Sequence, residues 1–323
     1  MVTDDLVSII VTTYYRNQYL RGCLQSVFNQ DYRPIEVIVV DDSGEAYARE
    51  VIDAFDDITY VALDQNRGAQ AARNRGVKRA SGAYVQFLDD DDRLTRDKIR
   101  RQMSVLRENP NVGVVTCGIE YESGWVECPP ETVRSRPLEE ALAFNNLWRY
   151  STLLIRYPAL REVMPLDEQA IGGGDAKLGI ELARRTEHDF VDAPLVQAGE
   201  PDRRLGASWA ALETLQRMIN EYEQLYDEAD SRVRHRACAN INRLEGRLIL
   251  QENSWSGAAI TAYAKAVSAV PGYRKLTHGA ELLASLFGRP GIRIGSRILT
   301  SARARRSRSI AGGGSGDSAE DSS

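Results

Sequence analysis

Hydrophobic positions in the first 115 residues follow two alternating rhythms. Val7 to Val11 is a short apolar run rich in β-branched residues, which reads as a strand buried on both faces. Leu20, Cys23, Leu24, Val27 and Phe28 then recur at the spacing of an amphipathic helix over 18–29. The alternation continues with a strand at 35–40, a helix over about 46–55, a strand at 58–63 and a helix at 68–80 stopped by Ser81-Gly82. A strand over 83–88, a helix over 94–107 closed by Asn109-Pro110, and a strand at 112–116 complete the series. Strands alternating with helices at this spacing predict βαβ units, an α/β fold and a mostly parallel sheet.

Beyond residue 120 the pattern is mixed. Short strand candidates at 153–156 and 190–191 are interleaved with helical pieces at 158–163 and 177–185, and Gly172-Gly173-Gly174-Asp175 forms a loop leading into the second piece. After Ser208 strand signals vanish. The expected organisation is an α/β domain over 1–205, a small helical domain over 206–300 and a tail over 301–323. Stretches 237–251 and 256–270 predict a helical hairpin, with Gly246, Gly257, Ala258, Ala262 and Ala266 allowing close approach. Residues 312–323 are small, acidic and polar, the composition of a disordered end.

In parallel sheets, ligands bind beyond the carboxyl ends of the strands. Three polar clusters fall there: Thr12-Thr13-Tyr14, Asp41-Asp42, and the run Asp89, Asp90, Asp91, Asp92. Unit charges ~4 Å apart repel by ~4 kcal/mol at an effective dielectric of ~20, so the run needs solvent or a cation. Hard carboxylate oxygens favour Mg²⁺ or Mn²⁺. A solvated acidic turn is the competing reading, against which stands the buried strand Tyr84-Val85-Gln86-Phe87-Leu88 leading into the run. An EF-hand fails, because its glycine would fall at Leu94 and its glutamate at Arg100. Phosphate loops of the G-x-x-x-x-G-K and G-x-G-x-x-G types are absent.

Composition narrows the classes further. A net charge of -5 argues against a nucleic-acid partner. Cys23, Cys117, Cys128 and Cys238 show no C-x-x-C spacing and there are 3 histidines, which disfavours zinc and fits reduced thiols in the cytoplasm. There is no signal-peptide pattern and no apolar stretch of ~18 residues, so any membrane contact is expected to be peripheral. Segment 289–308 holds seven arginines and no acid, interleaved with Ile292, Ile294, Ile298 and Leu299. It reads either as a basic amphipathic segment on an anionic membrane or as a solvated helix with a basic tail.

The pieces LVSIIVTTYYRNQYLRGCLQSVFNQ (6–30), IEVIVVDD (35–42), NRGAQAARNRG (66–76) and FLDDDD (87–92) resemble the inverting GT-A glycosyltransferases of family 2. The resemblance covers residues 5–115 closely and continues loosely to about 200. It implies a GT-A fold, with 1–205 as the catalytic domain. It also implies metal-dependent transfer of a sugar from a nucleotide-sugar donor, a UDP-sugar foremost, to a hydroxyl of a glycan or lipid-linked acceptor. The setting implied is cell-surface glycan assembly or protein glycosylation at the cytoplasmic face of the membrane.

By the same resemblance, Thr12 and Tyr14 touch base and ribose, Asp42 accepts a hydrogen bond from the base with Asp41 beside it, and Arg73 faces the donor. Asp89 and Asp91 form the D-x-D motif, with Asp91 on the metal, Asp89 both near the ribose and in the metal set, Asp90 on the donor side, and Asp90 and Asp92 as second ligands or supports. Asp175 takes the place of the catalytic base, with Gly174 where many members have Glu. Plainer readings remain open: Tyr14 packing on the sheet edge, Arg73 in a surface ion pair, Asp175 as a helix N-cap. The Q-x-x-R-W motif of processive synthases is missing, which points to addition of a single sugar. A nucleotidyltransferase and an inactive glycosyltransferase-like binding subunit are the alternatives.

Overall fold

The computed structural model describes residues 5–145, 148–199, 205–270 and 274–292. The acidic end at 312–323, and the basic segment beyond residue 292, lie outside the described residues. Nine strands form one sheet: β1 (Val7–Thr13), β2 (Ile35–Asp41), β3 (Ile58–Ala62), β4 (Tyr84–Asp89), β5 (Arg93–Leu94), β6 (Val112–Tyr121), β7 (Val126–Glu127), β8 (Leu154–Arg156) and β9 (Glu187–Ala198). Their order is β3-β2-β1-β4-β8-β6-β9-β5, with β7 paired to β6. The first four pair in parallel, as the alternation predicts; β8 and β5 insert antiparallel.

Period-2 alternation explains why β1, β2 and β4 read as continuous apolar runs. Ile10, Ile38, Val40, Val85 and Phe87 feed the core on one face; Val7, Ile9, Val11, Val37, Val39 and Leu88 feed the core on the other. Helices α1 (Asn17–Phe28), α2 (Arg49–Ile52) and α4 (Lys98–Glu108) cover the second face, while α3 (Ala69–Val77) lies on the first. Gly76 lets α3 approach β1: a Cβ there would meet Ile10 Cγ2 at 2.3 Å. Short helices α5 (Thr132–Ser135), α6 (Pro137–Leu142) and α7 (Tyr157–Arg161) precede α8 (Gly174–Ala183).

Two helices are shorter than their periodicity suggests. The expected helix over 46–55 shrinks to α2, because Ala46 sits at φ 57° and the Ala48 N–H is taken by Asp41 Oδ2 at 2.8 Å. The one expected from 94 starts at Lys98, because Arg93 and Leu94 pair with Gln197 and Val196 as β5. The strand expected at 190–191 grows into the 12-residue β9, whose pattern is broken by Asp189, Asp192 and Pro194.

Helices α9 (Trp209–Glu221), α10 (Glu223–Glu228), α11 (Ser231–Glu252), α12 (Gly257–Ala269) and α13 (Arg274–Ser285) make up the C-terminal part. Leu212, Met218, Tyr222, Tyr226, Val233, Ala237, Ile241 and Leu248 join the same core as Phe87 and Val85. A boundary at 205–206 therefore separates no two cores; α9 to α11 complete the first face of the sheet. The expected hairpin is α11–α12, and Gly246 is its close contact, since a Cβ there would meet the Tyr263 ring at 2.8 Å. Gly257 meets nothing within 4 Å and has no such role.

His188 lies buried on β9, its ring edge-on to Trp148 at 4.7 Å, with Nδ1 3.1 Å from the Thr186 carbonyl and Nε2 without a partner. Burial pushes its pKa down to about 4 from 6.5. The unfolded chain binds the extra proton first, so His188 stabilises the fold above about 6.5 and that stability is lost as pH falls through about 4. Denaturant unfolding of the protein and of His188→Gln should diverge over this window, the wild type losing about 3 kcal/mol more. Parallel pH curves would show that His188 is not buried neutral.

Candidate active site

Strand register brings the three polar clusters together. Thr13 pairs with Asp41 across β1–β2, and Thr12 pairs with Asp89 across β1–β4. From β1 the sheet extends to β2 on one side and β4 on the other, so these strand ends border the switch-point crevice of an α/β sheet.

Within the acidic run, neighbouring carboxylates point in different directions. Asp90 turns inward, 3% exposed, and accepts from Thr13 Oγ1 at 2.7 Å and from Arg16 Nη1 at 3.2 Å. Asp90, expected on the donor side or as a support, has its carboxylate engaged in holding the β1 loop. Burial raises its pKa to about 6. Asp91 lies 3.6 Å from the same Arg16 nitrogen. Asp92 is buried and accepts the Gly199 N–H at 3.2 Å, while a Cβ on Gly199 would meet the Asp91 carbonyl oxygen at 2.2 Å. Glycine at the end of β9 thus lets the acidic turn pack against it.

Oxygens of Asp89, Asp91 and Asp92 lie within 4.8 Å of one another. Burial, then the Asp89 and Asp91 charges, push the Asp92 carboxyl up to about 7. That is the signature of a negative site which a cation relieves, and three hard oxygen donors suit Mg²⁺ or Mn²⁺. Asp91, Asp89 and Asp92 are the residues that could hold it.

Asp41 is 1% exposed and its carboxylate is occupied. Oδ1 accepts the Ser43 N–H at 2.9 Å, and Oδ2 accepts the Ala48 N–H at 2.8 Å and the Tyr60 hydroxyl at 2.7 Å. These bonds make Asp41 an anchor of the loop that follows β2, beside Asp42. Asp42 accepts the N–H groups of Arg67 at 2.7 Å and Gly68 at 2.8 Å, one per oxygen, which leaves each oxygen a second lone pair. Thr12 is half-buried beside it. Tyr14 is 47% exposed and edge-on to Tyr15, which in turn contacts Tyr47, both at 4.8 Å. Three tyrosines at this rim form a platform to which the Tyr14-Tyr15 doublet was the only clue in the sequence.

Arg73 is not in a surface ion pair. It is buried on α3, its guanidinium 3.7 Å above the Tyr150 ring and Nη2 2.6 Å from Asp89 Oδ1. Asp89 keeps its other oxygen free of Arg73, and its backbone N–H reaches Ser151 Oγ at 3.2 Å. Segment 150–152 is itself held from below by buried Lys98. Its Nζ donates to Gln86 and Gln102, and their amides donate to the carbonyls of Ser151 at 3.0 Å and Thr152 at 2.8 Å. With no carboxylate partner in this network, burial lowers the Lys98 pKa to about 8.

Asp175 stands in the first turn of α8, where Gly173, not Asp175, holds the N-cap position. Burial raises its pKa; Arg149 opposes this most strongly, and the charges of Asp89 and Arg73 are also felt. The structure therefore places Asp175 in electrostatic contact with the acidic run across 86 residues of sequence (175 − 89). Gly174 is required by what faces it: a Cβ there would lie 1.4 Å from Gln70 Nε2. Gln70 fills the space into which a side chain at 174 would project, and is itself held by the Tyr150 hydroxyl at 2.8 Å. Arg149 carries no motif. Its Nε is buried without a partner, and its charge is felt by both Asp92 and Asp175.

Residues 8–162 match the family model described as Glycosyl transferase family 2. The chain is 36% identical over 107 residues to the putative teichuronic acid biosynthesis glycosyltransferase TuaG of Bacillus subtilis, covering 32% of this chain and 42% of TuaG. It spans less than two thirds of the first curated relatives it matches, between 15% and 60% of their lengths. Among solved structures, S. aureus TarS 1-349 in complex with UDP-GlcNAc superposes with TM-score 0.56 at 15% identity, over 93% of this chain and 92% of that one. The mannosyltransferase PcManGT of Pyrobaculum calidifontis, in complex with GDP-Man and Mn2+, gives 0.56 at 19% identity, over 92% and 85%. Both likenesses establish the GT-A fold.

An acid at position 174, which the resemblance leads one to expect, should fail here for a steric reason. Gly174→Glu is expected to lower the melting temperature by several degrees, as overpacking by ~1–3 kcal/mol does. Gln70→Ala in the same chain should recover most of the loss. An equal loss with and without Gln70 would show that the space is not what selects glycine.

Proposed function

We propose that this chain, whose residues 8–162 match the model of glycosyl transferase family 2, is an inverting glycosyltransferase. It would move a single sugar from a nucleotide-sugar donor to a hydroxyl of a glycan or lipid-linked acceptor. The observation that carries the reading is the pairing of a three-carboxylate cluster at the β1/β4 switch point with a separate carboxylate, Asp175, within its electrostatic reach.

The donor nucleotide lies across the ends of β1 and β2. Tyr14 offers its exposed face to the base, Thr12 lines the sugar, and Asp42 accepts from the base with its remaining lone pairs. Asp89, oriented by Arg73, faces the ribose. Asp91, with Asp89 and Asp92, would hold Mn²⁺ or Mg²⁺, whose charge would offset that of the diphosphate leaving group. Arg149, whose Nε has no hydrogen-bond partner and whose guanidinium lies 5.4 Å from the Tyr121 ring centroid, supplies positive charge to the same diphosphate. A donor carrying UDP fits the nucleotide described with TarS; the Mn2+ described with PcManGT supports the metal.

Asp175 then removes the proton from the acceptor hydroxyl as its oxygen attacks the anomeric carbon on the face opposite the leaving diphosphate. A carboxylate whose pKa is raised by burial is a better base than a solvated one. The acceptor is assembled at a membrane surface. No helix among the described residues is long and apolar enough to cross a membrane. Trp255, Leu283, Leu286 and Phe287 are nevertheless exposed, Trp255 Nε1 donates to the Leu286 carbonyl at 3.0 Å, and in sequence they precede the basic segment 289–308. This is the composition of a peripheral contact at the cytoplasmic face.

Asp91→Ala should abolish the Mn²⁺-dependent thermal shift by UDP, together with transfer. Asp175→Asn should keep that shift but lower kcat by about 10²–10⁴; full activity in this variant would remove Asp175 from the mechanism. Arg149→Met is expected to weaken nucleoside diphosphate binding about tenfold and leave nucleoside binding unchanged. Release of pyrophosphate in place of nucleoside diphosphate would favour a nucleotidyltransferase.

A further inference from the structure

A second cavity opens on the other wall of the acidic turn. It measures about 1060 Å³ and lies between α1 and the β5–β9 pair. Arg21, Arg93 and Arg96 line it, with Gln18, Gln25 and Gln197, and no Asp or Glu does. This is a local reversal in a chain that holds 46 acids against 41 bases.

Arg93 is seated there by the backbone. A Cβ on Gly22 would lie 2.5 Å from Arg93 Nη2, so the absence of a side chain at 22 makes the bed for that guanidinium. Salt bridges elsewhere engage Arg16, Arg73, Arg100 and Arg101, whereas none among the described residues involves Arg21, Arg93 or Arg96. Three like charges in one concavity raise one another's energy, and a concave surface of a single sign concentrates counter-ions.

The groove adjoins the acidic run through chain neighbours. Arg93 follows Asp92 directly, and Gln197 pairs with Arg93. Two residues farther along the chain, Gly199 abuts Asp91 and Asp92. At about 3.3 Å per residue of strand, that step is about 7 Å.

We propose that this groove binds a glycan bearing oxyanions, carboxylate or phosphate, as an extension of the acceptor site. Guanidinium groups match both anions bidentately, and the amides of Gln18, Gln25 and Gln197 supply the donors and acceptors that sugar hydroxyls need. The proposal rests on the glycosyltransferase reading for the word acceptor, while the binding itself does not depend on it.

The test uses the full chain and three probes in isothermal titration: neutral maltohexaose, maltohexaose phosphorylated on its 6-hydroxyls, and hexagalacturonate. An anionic probe should bind where the neutral one does not, and the anion that binds more tightly identifies the oxyanion. Arg21→Glu, Arg93→Glu and Arg96→Glu should each weaken binding about tenfold or more. Arg184→Glu, at an exposed arginine that caps the C-terminus of α8, should not. If neither anionic probe binds, if all three bind alike, or if Arg184→Glu is as damaging as the groove variants, the proposal is overturned. A UDP and Mn²⁺ thermal shift on the same samples reports separately on the donor site, so its absence would count against the donor reading and leave the groove result standing.

Discussion

Four carboxylates in succession cannot all face one way. At ~4 Å and an effective dielectric of ~20, each like-charged pair costs ~4 kcal/mol, and the structure is arranged around relieving that repulsion. Asp90 is taken out of the crevice by Thr13 and Arg16. Asp89 is tied to Arg73. Asp91 and Asp92 are pinned by the Gly199 turn, and together with Asp89 they leave one concentrated patch of negative charge. The division of labour in the run is therefore a consequence of electrostatics before it is a feature of catalysis.

That arrangement depends on elements distant in sequence. The 150–152 segment, hung on Lys98, Gln86 and Gln102, provides the Ser151 hydroxyl under Asp89 and the Tyr150 ring under Arg73. α3 reaches Asp89 because Gly76 allows it to lie on Ile10. β9 closes the other side by pairing with β5 directly after the acidic run. Asp175 enters from α8, whose first turn fits only because Gly174 yields its side-chain space to Gln70. The acidic run and Asp175 are thus joined through the packed residues Arg73, Tyr150 and Gln70.

Much of this was legible in the chain itself. Strands buried on both faces gave β1 to β4 within a residue or two, and their ends named the three polar clusters. What periodicity cannot carry is direction. Asp89, Asp90, Asp91 and Asp92 are the same residue type, and only Thr13, Arg16, Arg73 and Gly199 decide which of them turn inward. For Asp41, likewise, residue type does not show that Ser43, Ala48 and Tyr60 lie on its oxygens. Arg149 and Lys98 are lone cations without a motif, and their importance lies entirely in being buried. The boundary placed at 205–206 reflected a change of composition, whereas the helices beyond it bury Leu212, Met218 and Tyr226 in the core of the sheet.

The central claim is that the acidic run is split, with Asp89, Asp91 and Asp92 turned to the cation and Asp90 turned to the fold. Anomalous diffraction from crystals grown with Mn²⁺ and UDP tests it directly. The account predicts one Mn²⁺ peak at ~2.0–2.3 Å from oxygens of that trio, with Asp90 still on Thr13 and Arg16. A peak coordinated by Asp90, or a nucleotide bound with no metal on the run, would contradict it.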